Sequence, residues 1–213
     1  MKPLFVTATN TNVGKTYTTK KLIELFSRQG IQVGVCKPIE TGVNEEPIDA
    51  KLLLETVQQY NDEFKPLKPT DITAYTFLLP AAPFCADTNH NIKIVEIKDK
   101  IEKLRKNCDL LIIEGAGGLM VPIMANYYMI DLIQELDIMT LLVTPSKLGC
   151  INDTLLSIEA LKSRDIPFDW CVNLFEDNKE FKKVTQPFYN TVYPNWWSIE
   201  NGLESFVHKY INS

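Results

Sequence analysis

Apolar runs of strand length alternate along the chain with segments of helical period. The predicted strands are residues 4–7, 31–36, 109–113, 138–144 and 168–173. The predicted helices are residues 14–29, 49–60, 95–106, 128–136, 151–163 and 203–210. Continuous apolar strands separated by helices are typical of a parallel sheet that is covered on both faces. The pattern therefore predicts an α/β protein with a single doubly wound, mainly parallel sheet and helices on both faces.

The length favours one domain over residues 1–213, because domains cluster near roughly 100–200 residues. Residues 66–83 are rich in proline and are interpreted as an ordered loop region. From about residue 176 the pattern becomes less regular, which indicates a variable carboxyl-terminal segment.

Composition excludes several classes of function. Lys plus Arg total 22 against 27 Asp plus Glu, a net charge of −5, whereas nucleic acids and anionic membranes attract basic surfaces. No apolar stretch approaches the roughly 20 residues that span a bilayer. Five scattered cysteines and two histidines offer too few ligands at workable spacing for a zinc cluster. The chain is interpreted as reduced and cytoplasmic, without nucleic-acid or membrane partners.

The first predicted strand leads into Ala-Thr-Asn-Thr-Asn-Val-Gly-Lys-Thr at residues 8–16, and a helix follows. This order is typical of a P-loop, which surrounds phosphates with backbone N–H groups at a helix start. The loop contacts would come from Asn12, Val13 and Gly14. Lys15 would reach the β- and γ-phosphates, and Thr16 would offer its hydroxyl to Mg²⁺. The strict pattern has glycine at position 9, where this chain has threonine, and a lysine opening an ordinary helix is the alternative.

A carboxylate and a lysine follow two further predicted strands. Glu114 comes directly after the strand of residues 109–113 and before Gly-Ala-Gly-Gly, where a P-loop protein supplies an oxygen ligand for Mg²⁺; a surface turn is the alternative. Lys37 ends the second strand, so it is either a phosphate contact or a solvated lysine. Asp49 is either a magnesium ligand or only the cap of its helix.

Lys-Leu-Gly-Cys-Ile-Asn at residues 147–152 joins a strand to a helix whose free N–H groups could hold a carboxylate. In this segment Asn152 is either a ligand contact or a plain helix cap. Trp196 and Trp197 either stack on a nucleobase or pack in the core.

Together these motifs resemble the dethiobiotin synthetase family. The family pattern Gly-Thr-x-Thr-x-Val-Gly-Lys-Thr matches residues 8–16 except at the first position, which is alanine here. Further matches follow in the family's order over residues 1–174: Lys37-Pro38 with Thr41-Gly42, Tyr75-Thr76-Phe77 with Pro80 and Pro83, Glu114-Gly115-Ala116-Gly117-Gly118, and Lys147-Leu148-Gly149-Cys150-Ile151-Asn152.

The resemblance implies an ATP- and Mg²⁺-dependent ligase, which converts 7,8-diaminononanoate and carbon dioxide to dethiobiotin through a phosphorylated carbamate. It implies that Thr11 and Lys15 contact the carbamate and the phosphates, that Lys37 stabilises the transferring phosphoryl group, and that Thr41 lies near the same oxygens. The implied magnesium ligands are Thr16, Asp49 and Glu114. The implied diamine contacts are Pro80, Gly117 and Gly118. The distal carboxylate of the diamine would be bound by the other subunit of a homodimer, through Gly149, Cys150, Ile151 and Asn152.

The carboxyl-terminal segment departs from the family. Asn173 matches an asparagine that contacts the nucleobase, but the later Gly-x-Ile-Pro-like loop has only a loose counterpart at residues 193–196. We therefore predict weaker discrimination between ATP and other triphosphates than the family usually shows.

Three other classes use related sequences. A partitioning-type P-loop ATPase has a signature lysine five residues before the P-loop lysine, where this chain has Asn10. A GTP-dependent switch has an Asn-Lys-x-Asp sequence, which is absent. Another amidoligase with a phosphorylated carboxylate is disfavoured only by the resemblance of residues 147–152.

Overall fold

A computed structural model describes residues 1–175 and 178–212. Its strands are β1 (Leu4–Ala8), β2 (Val33–Cys36), β3 (Ile39–Thr41), β4 (Tyr75–Phe77), β5 (Leu110–Gly118), β6 (Pro122–Met124), β7 (Tyr127–Tyr128), β8 (Met139–Pro145), β9 (Phe168–Asn173) and β10 (Trp197–Ser198). Its helices are α1 (Lys15–Arg28), α2 (Ile48–Val57), α3 (Pro83–Ala86), α4 (Ile94–Arg105), α5 (Met129–Leu136), α6 (Cys150–Lys162), α7 (Asn178–Glu180), α8 (Gln186–Val192) and α9 (Ile199–Ile211).

The central sheet has six parallel strands in the order β10-β9-β8-β1-β5-β2. From β1 the chain passes through α1 to β2, and from β2 it returns through α4 to β5. Because parallel crossovers are right-handed, these two opposite directions place their helices on opposite faces of the sheet. The predicted doubly wound, mainly parallel sheet is confirmed.

Continuous apolar runs explain why the inner strands lie at the centre. Every residue of the inner strand β1 is buried, and so is every residue of β2 at the edge of the sheet. The buried apolar side chains of strands and helices form one contiguous cluster. The first helix presents Leu22, Ile23 and Phe26 to this core and packs against α2 and α9. In the described part of the chain, no helix combines the length and apolarity needed to cross a membrane.

Two segments illustrate how the structure differs from the sequence prediction. Residues 66–83 are not only loop: they contain a short 3₁₀ turn, Pro69–Asp71, and strand β4, which pairs in parallel with β3. Strand β5 does not end before Glu114 but continues to Gly118, because the register shifts and Gly118 pairs with Ala8 of β1. Both errors have the same physical origin, since short or glycine-rich strands are fixed by pairing with distant residues.

Candidate active site

The loop between β1 and α1 has the backbone shape of a phosphate-binding turn. Asn12 and Gly14 have φ values of +59° and +106°, and Gly14 occupies the N-cap position directly before Lys15. A Cβ atom at Gly14 would lie 2.1 Å from Nδ2 of Asn173, so only glycine fits here. The first N–H groups of α1 have no partners within the helix and are available to an anion.

Lys15 lies within this loop rather than in solvent. It is 7% exposed, and its Nζ atom donates a hydrogen bond to the backbone oxygen of Asn10 at 3.1 Å. Burial, and secondly the positive charge of Lys37, lower the pKa of Lys15 to about 8. A buried ammonium group without a carboxylate at hydrogen-bond distance is suited to receive a phosphate.

The three predicted magnesium ligands converge at the start of α1. The hydroxyl Oγ1 of Thr16 lies 3.0 Å from Oε1 of Glu114 and 3.3 Å from Oδ1 of Asp49. Thr19 donates a hydrogen bond to the other Glu114 oxygen at 2.7 Å, which fixes the orientation of that carboxylate. A hydroxyl and two carboxylates are the hard oxygen donors that Mg²⁺ takes beside phosphate oxygens, so this set fits the ion.

Lys37 completes the cluster from the end of β2. Its Nζ atom lies 2.7 Å from Oε1 of Glu114 and 3.2 Å from Oδ2 of Asp49, and it donates to the backbone oxygen of Gly115 at 3.2 Å. Burial by itself would lower the pKa of Lys37, but Glu114 and Asp49 outweigh it, and the net shift is upward. The side chain is therefore a permanent cation at the cluster.

The alternative interpretation, in which Asp49 only caps helix α2, is wrong. Pro47 occupies the N-cap position, and the carboxylate of Glu40 accepts hydrogen bonds from the N–H groups of Asp49 and Ala50, each at 2.9 Å. Burial raises the pKa of Glu40, and these two hydrogen bonds oppose the shift. Sequence reasoning missed Glu40, because a capping side chain from another element leaves no signal near the helix.

A cavity of about 380 Å³ opens above this cluster. Its walls include the predicted site residues Thr11, Asn12, Gly14, Lys15, Thr16, Lys37, Thr41, Asp49 and Gly117. They also include Tyr17, Ile39, Glu40 and Ala116, to which sequence reasoning assigned no role. Glu114 is fully buried beneath the cavity and reaches it through Thr16.

Several predicted contacts lie beside this cavity rather than in its walls. Gly118 is packed under the loop, where a Cβ atom would lie 2.8 Å from the backbone oxygen of Thr9. Pro80 lies against Gly42, whose φ is +78°. The side-chain nitrogen of Asn173 donates to the backbone oxygen of Val13 at 3.0 Å and so supports the loop from behind.

The segment at residues 149–152 lies outside the lining of this cavity in the same chain. Gly149, with φ +91°, is the N-cap of α6, and the preceding Leu148 is 92% exposed. Asn152 lies inside the helix and contacts Asp153, so the alternative of Asn152 as helix cap is wrong. A helix start beside a fully exposed leucine is available to a second molecule.

The two adjacent tryptophans are packing residues. Trp196 packs on Phe181 with ring centroids 5.6 Å apart, and Trp197 stacks on Phe206 at 5.5 Å. Trp197 also belongs to β10 and donates its indole N–H to Asp169. These contacts favour the core alternative over a nucleobase contact.

A larger cavity of about 540 Å³ lies near the amino-terminal end of β1, between Met1 and Tyr210. None of the predicted site residues lines it. The loop and carboxylate cluster lie at the carboxyl ends of the strands, where open parallel sheets bind ligands. We therefore place the candidate site in the smaller cavity.

Comparisons with known proteins agree with this fold. A family model described as an AAA domain matches residues 2–172. The plasmid partition protein of Borrelia burgdorferi has a TM-score of 0.58 at 14% identity, covering 98% of this chain and 100% of that one. The MinD cell division protein of Aquifex aeolicus has a TM-score of 0.54 at 16% identity, covering 98% and 87%. At such identities these likenesses show the fold alone, which is that of P-loop ATPases.

Curated relatives are much more similar in sequence. The ATP-dependent dethiobiotin synthetase of Sulfurovum sp. is 60% identical over 207 residues, which cover 97% of this chain and 99% of that protein. The protein of the same name from Wolinella succinogenes is 36% identical over 222 residues, and the alignment covers 100% of both chains. The chain belongs to the family of ATP-dependent dethiobiotin synthetases.

Proposed function

We propose that the chain is an ATP-dependent ligase that closes the ring of dethiobiotin from 7,8-diaminononanoate and carbon dioxide, through a phosphorylated carbamate. A relative that is 60% identical over nearly the full length is named an ATP-dependent dethiobiotin synthetase. The structural observation that carries the proposal is one cavity with two buried lysines, a P-loop and two carboxylates. This combination suits phosphoryl transfer, in which positioning and charge neutralisation do most of the work.

The reaction balances in three steps. One amine of the substrate adds to carbon dioxide and loses a proton, which forms a carbamate. A carbamate oxygen then attacks the γ-phosphorus of ATP, and ADP leaves. The second amine attacks the activated carbon, phosphate leaves, and a second proton is lost as the ureido ring closes. Phosphorylation is needed because an unmodified carbamate oxygen is a poor leaving group.

Each cationic group has a role in this sequence. The backbone of Asn12, Val13 and Gly14 would surround the phosphates, with Lys15 on their β- and γ-oxygens. Lys37 would neutralise the charge that develops on the transferring phosphoryl group, and this charge stabilisation makes both lysines catalytic residues. Thr11 and Thr41, which line the same cavity, would hold the carbamate and the nearby oxygens.

We propose that Thr16, Asp49 and Glu114 hold Mg²⁺ together with the nucleotide. A carboxylate oxygen of Asp49 and one of Glu114 lie within 3.3 Å of the Thr16 hydroxyl, so all three side chains can offer an oxygen to the same ion. Bound there, the ion would supply charge neutralisation to the phosphate oxygens.

The diamine would lie along the glycine-rich end of β5. Gly117 lines the cavity, and Gly118 brings the strand against the P-loop. Pro80 packs beside Gly42, which follows the cavity residue Thr41. The distal carboxylate would be bound at the start of α6, by Gly149, Cys150, Ile151 and Asn152. Because this helix start lies outside the cavity of its own chain, we propose that a second copy supplies it and that the enzyme is a homodimer.

Nucleobase recognition is proposed to rest on Asn173 and to be relaxed. The amide nitrogen of Asn173 donates one of its two N–H groups to Val13, which leaves the other N–H and the side-chain oxygen for the base. Residues 193–196, the loose counterpart of the family's base-binding loop, belong to an aromatic cluster. In it Tyr193 contacts Trp170, and Trp196 contacts Tyr189.

The contiguous core supports a single domain over residues 1–213, with a variable segment from about residue 176; Glu176, Asp177 and Ser213 lie outside the described residues. A cytoplasmic enzyme of small-molecule metabolism, without nucleic-acid or membrane partners, is consistent with the net charge of −5.

The test is phosphate release from ATP in the presence of Mg²⁺, with and without the diamine and bicarbonate. The proposal requires release that depends on both substrates and a product with the mass of dethiobiotin. Phosphate release that does not depend on the diamine would instead support a partitioning-type ATPase. Phosphate release that depends on a different amine and acid would support another amidoligase.

A further inference from the structure

Helix α2 begins without a cap of its own. Pro47 at its N-cap position offers no side-chain acceptor. Among the described contacts, the carboxylate of Asp49, the second residue of the helix, meets Thr16 and Lys37 and not the N–H groups of its neighbours. The N–H groups of Asp49 and Ala50 instead donate to the two oxygens of Glu40, at 2.9 Å each. Glu40 belongs to β3 and is therefore a cap supplied by another element.

This arrangement leaves the carboxylate of Asp49 free to point elsewhere. Its Oδ1 atom lies 3.3 Å from the hydroxyl of Thr16, and its Oδ2 atom lies 3.2 Å from Nζ of Lys37. The side chain of Asp49 is 42% exposed, so packing around it is incomplete. Its position is set chiefly by its backbone, which Glu40 holds.

An aspartate in the first turn of an uncapped helix has a competing partner. The free N–H groups and the positive end of the helix dipole attract a nearby carboxylate. With Glu40 in place those donors are satisfied and the local charge is already balanced. Without it, Asp49 would be drawn toward its own helix start and away from Thr16.

We propose that Glu40 is a positioning residue, which caps α2 in place of Asp49 and thereby presents Asp49 to the metal–nucleotide site. This inference rests on the proposed function, in which Asp49 is a magnesium ligand. It assigns a role in the site to a residue that would hold neither the ion nor the phosphates.

The experiment measures metal affinity apart from turnover. Mn²⁺ binding to the full-length protein is followed by electron paramagnetic resonance with saturating ADP, for wild type, Glu40→Gln, Asp49→Asn and the double variant. In Glu40→Gln an amide N–H₂ faces one of the two N–H donors, so only one capping bond survives. We expect Mn²⁺ affinity to fall about tenfold in Glu40→Gln, the usual effect of losing a residue that orients a ligand.

Two further variants sharpen the result. Glu40→Asp keeps the charge but is one methylene shorter, so it cannot reach both N–H groups, and it should lose affinity in the same direction. Glu46→Gln is the matched control, because Glu46 precedes the same helix, is exposed and pairs only with Lys51 in the described contacts. Its Mn²⁺ affinity should equal that of wild type.

The double variant decides between positioning and general damage. If Glu40 acts through Asp49, adding Glu40→Gln to Asp49→Asn weakens Mn²⁺ binding no further. The proposal fails if Glu40→Gln and Glu40→Asp fold and bind Mn²⁺ with wild-type affinity while Asp49→Asn binds it more weakly. Glu40 would then be only a structural cap. If Asp49→Asn binds Mn²⁺ with wild-type affinity, Asp49 is not a metal ligand, and both the proposed metal site and the role of Glu40 are contradicted.

Discussion

The Nζ atom of Lys37 lies 2.7 Å from Oε1 of Glu114, and their side chains are only 3% and 0% exposed. This buried ion pair joins the end of β2 to the middle of β5 directly beneath the P-loop. A buried charge is tolerated only with a close counter-charge, so each partner depends on the other. The pair therefore couples the stability of the sheet to the integrity of the site.

Glu114→Gln should impair both the fold and the chemistry. Removing the charge leaves Lys37 buried with only the partly exposed Asp49 and the weaker influence of Glu40, which should cost about 3 kcal/mol of unfolding free energy. The Mg²⁺ concentration needed for half-maximal activity should also rise. Urea unfolding and a Mg²⁺ titration of turnover measure the two effects. The control is Glu135→Gln, which breaks an exposed pair with Lys98 and should change neither quantity.

Lys37→Ala should lower kcat about 100-fold or more, since removing a charge that stabilises the transition state has an effect of this order. The KM for the diamine should change much less, because the lost interaction is made chiefly in the transition state. Steady-state kinetics of diamine-dependent phosphate release provide the measurement. Lys65→Ala is the control, as Lys65 is exposed and pairs with the exposed Asp62. Wild-type turnover by Lys37→Ala would remove this lysine from the site.

Much of this architecture is predictable because its signals are local. The strand Phe168–Asn173 was bounded correctly, and the P-loop follows from Gly14, Lys15 and Thr16 standing between a strand and a helix. Each of these features is encoded within about one turn or strand of contiguous sequence. That locality is why the fold and the phosphate-binding loop could be inferred first.

The rest depends on residues that are distant in sequence. Glu40 caps a helix that begins eight residues later, so the sequence offered Asp49 as the only local candidate. Strand β4 is recognisable only through its pairing with β3, and β10 has just two residues. Such features are fixed by tertiary hydrogen bonds, which no pattern within a short window contains.

Nucleotide affinity should fall as pH rises above the pKa of Lys15. That pKa is about 8 in the ligand-free protein, against 10.5 for the ordinary group. Between these values the unfolded chain holds a proton that the folded chain lacks, so this group makes stability rise with pH there. A polyphosphate favours the charged lysine, so binding in this window must take up a proton.

Calorimetry of ADP binding in EDTA, in two buffers of different ionisation enthalpy, measures this proton uptake at about pH 9. Lys15→Arg keeps its charge throughout and should show no uptake from this position. Equal proton uptake by wild type and Lys15→Arg would assign the effect to another group.

Base selectivity should be weak. The side-chain oxygen and one N–H group of Asn173 remain for the base, and two neutral hydrogen bonds of about 1 kcal/mol each amount to a factor of roughly thirty in affinity. We expect the kcat/KM values for ATP, CTP and GTP to lie within about this factor of one another. A preference for ATP of several hundredfold would contradict the prediction and would require further base contacts.

Gly149→Val should reduce activity without a comparable loss of structure. Gly149 has φ +91° and open space around a Cβ atom, so a valine would distort the start of α6 through backbone strain alone. Gly30→Val is a matched control, because Gly30 has φ +81° and the same open surroundings at the end of α1. Both should lose about 1 kcal/mol or more of stability, but only Gly149→Val should raise the KM for the diamine.

Mixing two impaired variants, assayed at a diamine concentration far below the KM of Gly149→Val, then tests whether the site is shared between subunits. After Lys15→Ala and Gly149→Val chains are refolded together, half of the dimers carry one of each. If each site combines the P-loop of one chain with the α6 start of the other, every mixed dimer has one site with both parts intact. About a quarter of wild-type activity should then return. If each chain supplies its own α6 start, both sites of a mixed dimer are damaged and no activity returns, which would rule out the shared site.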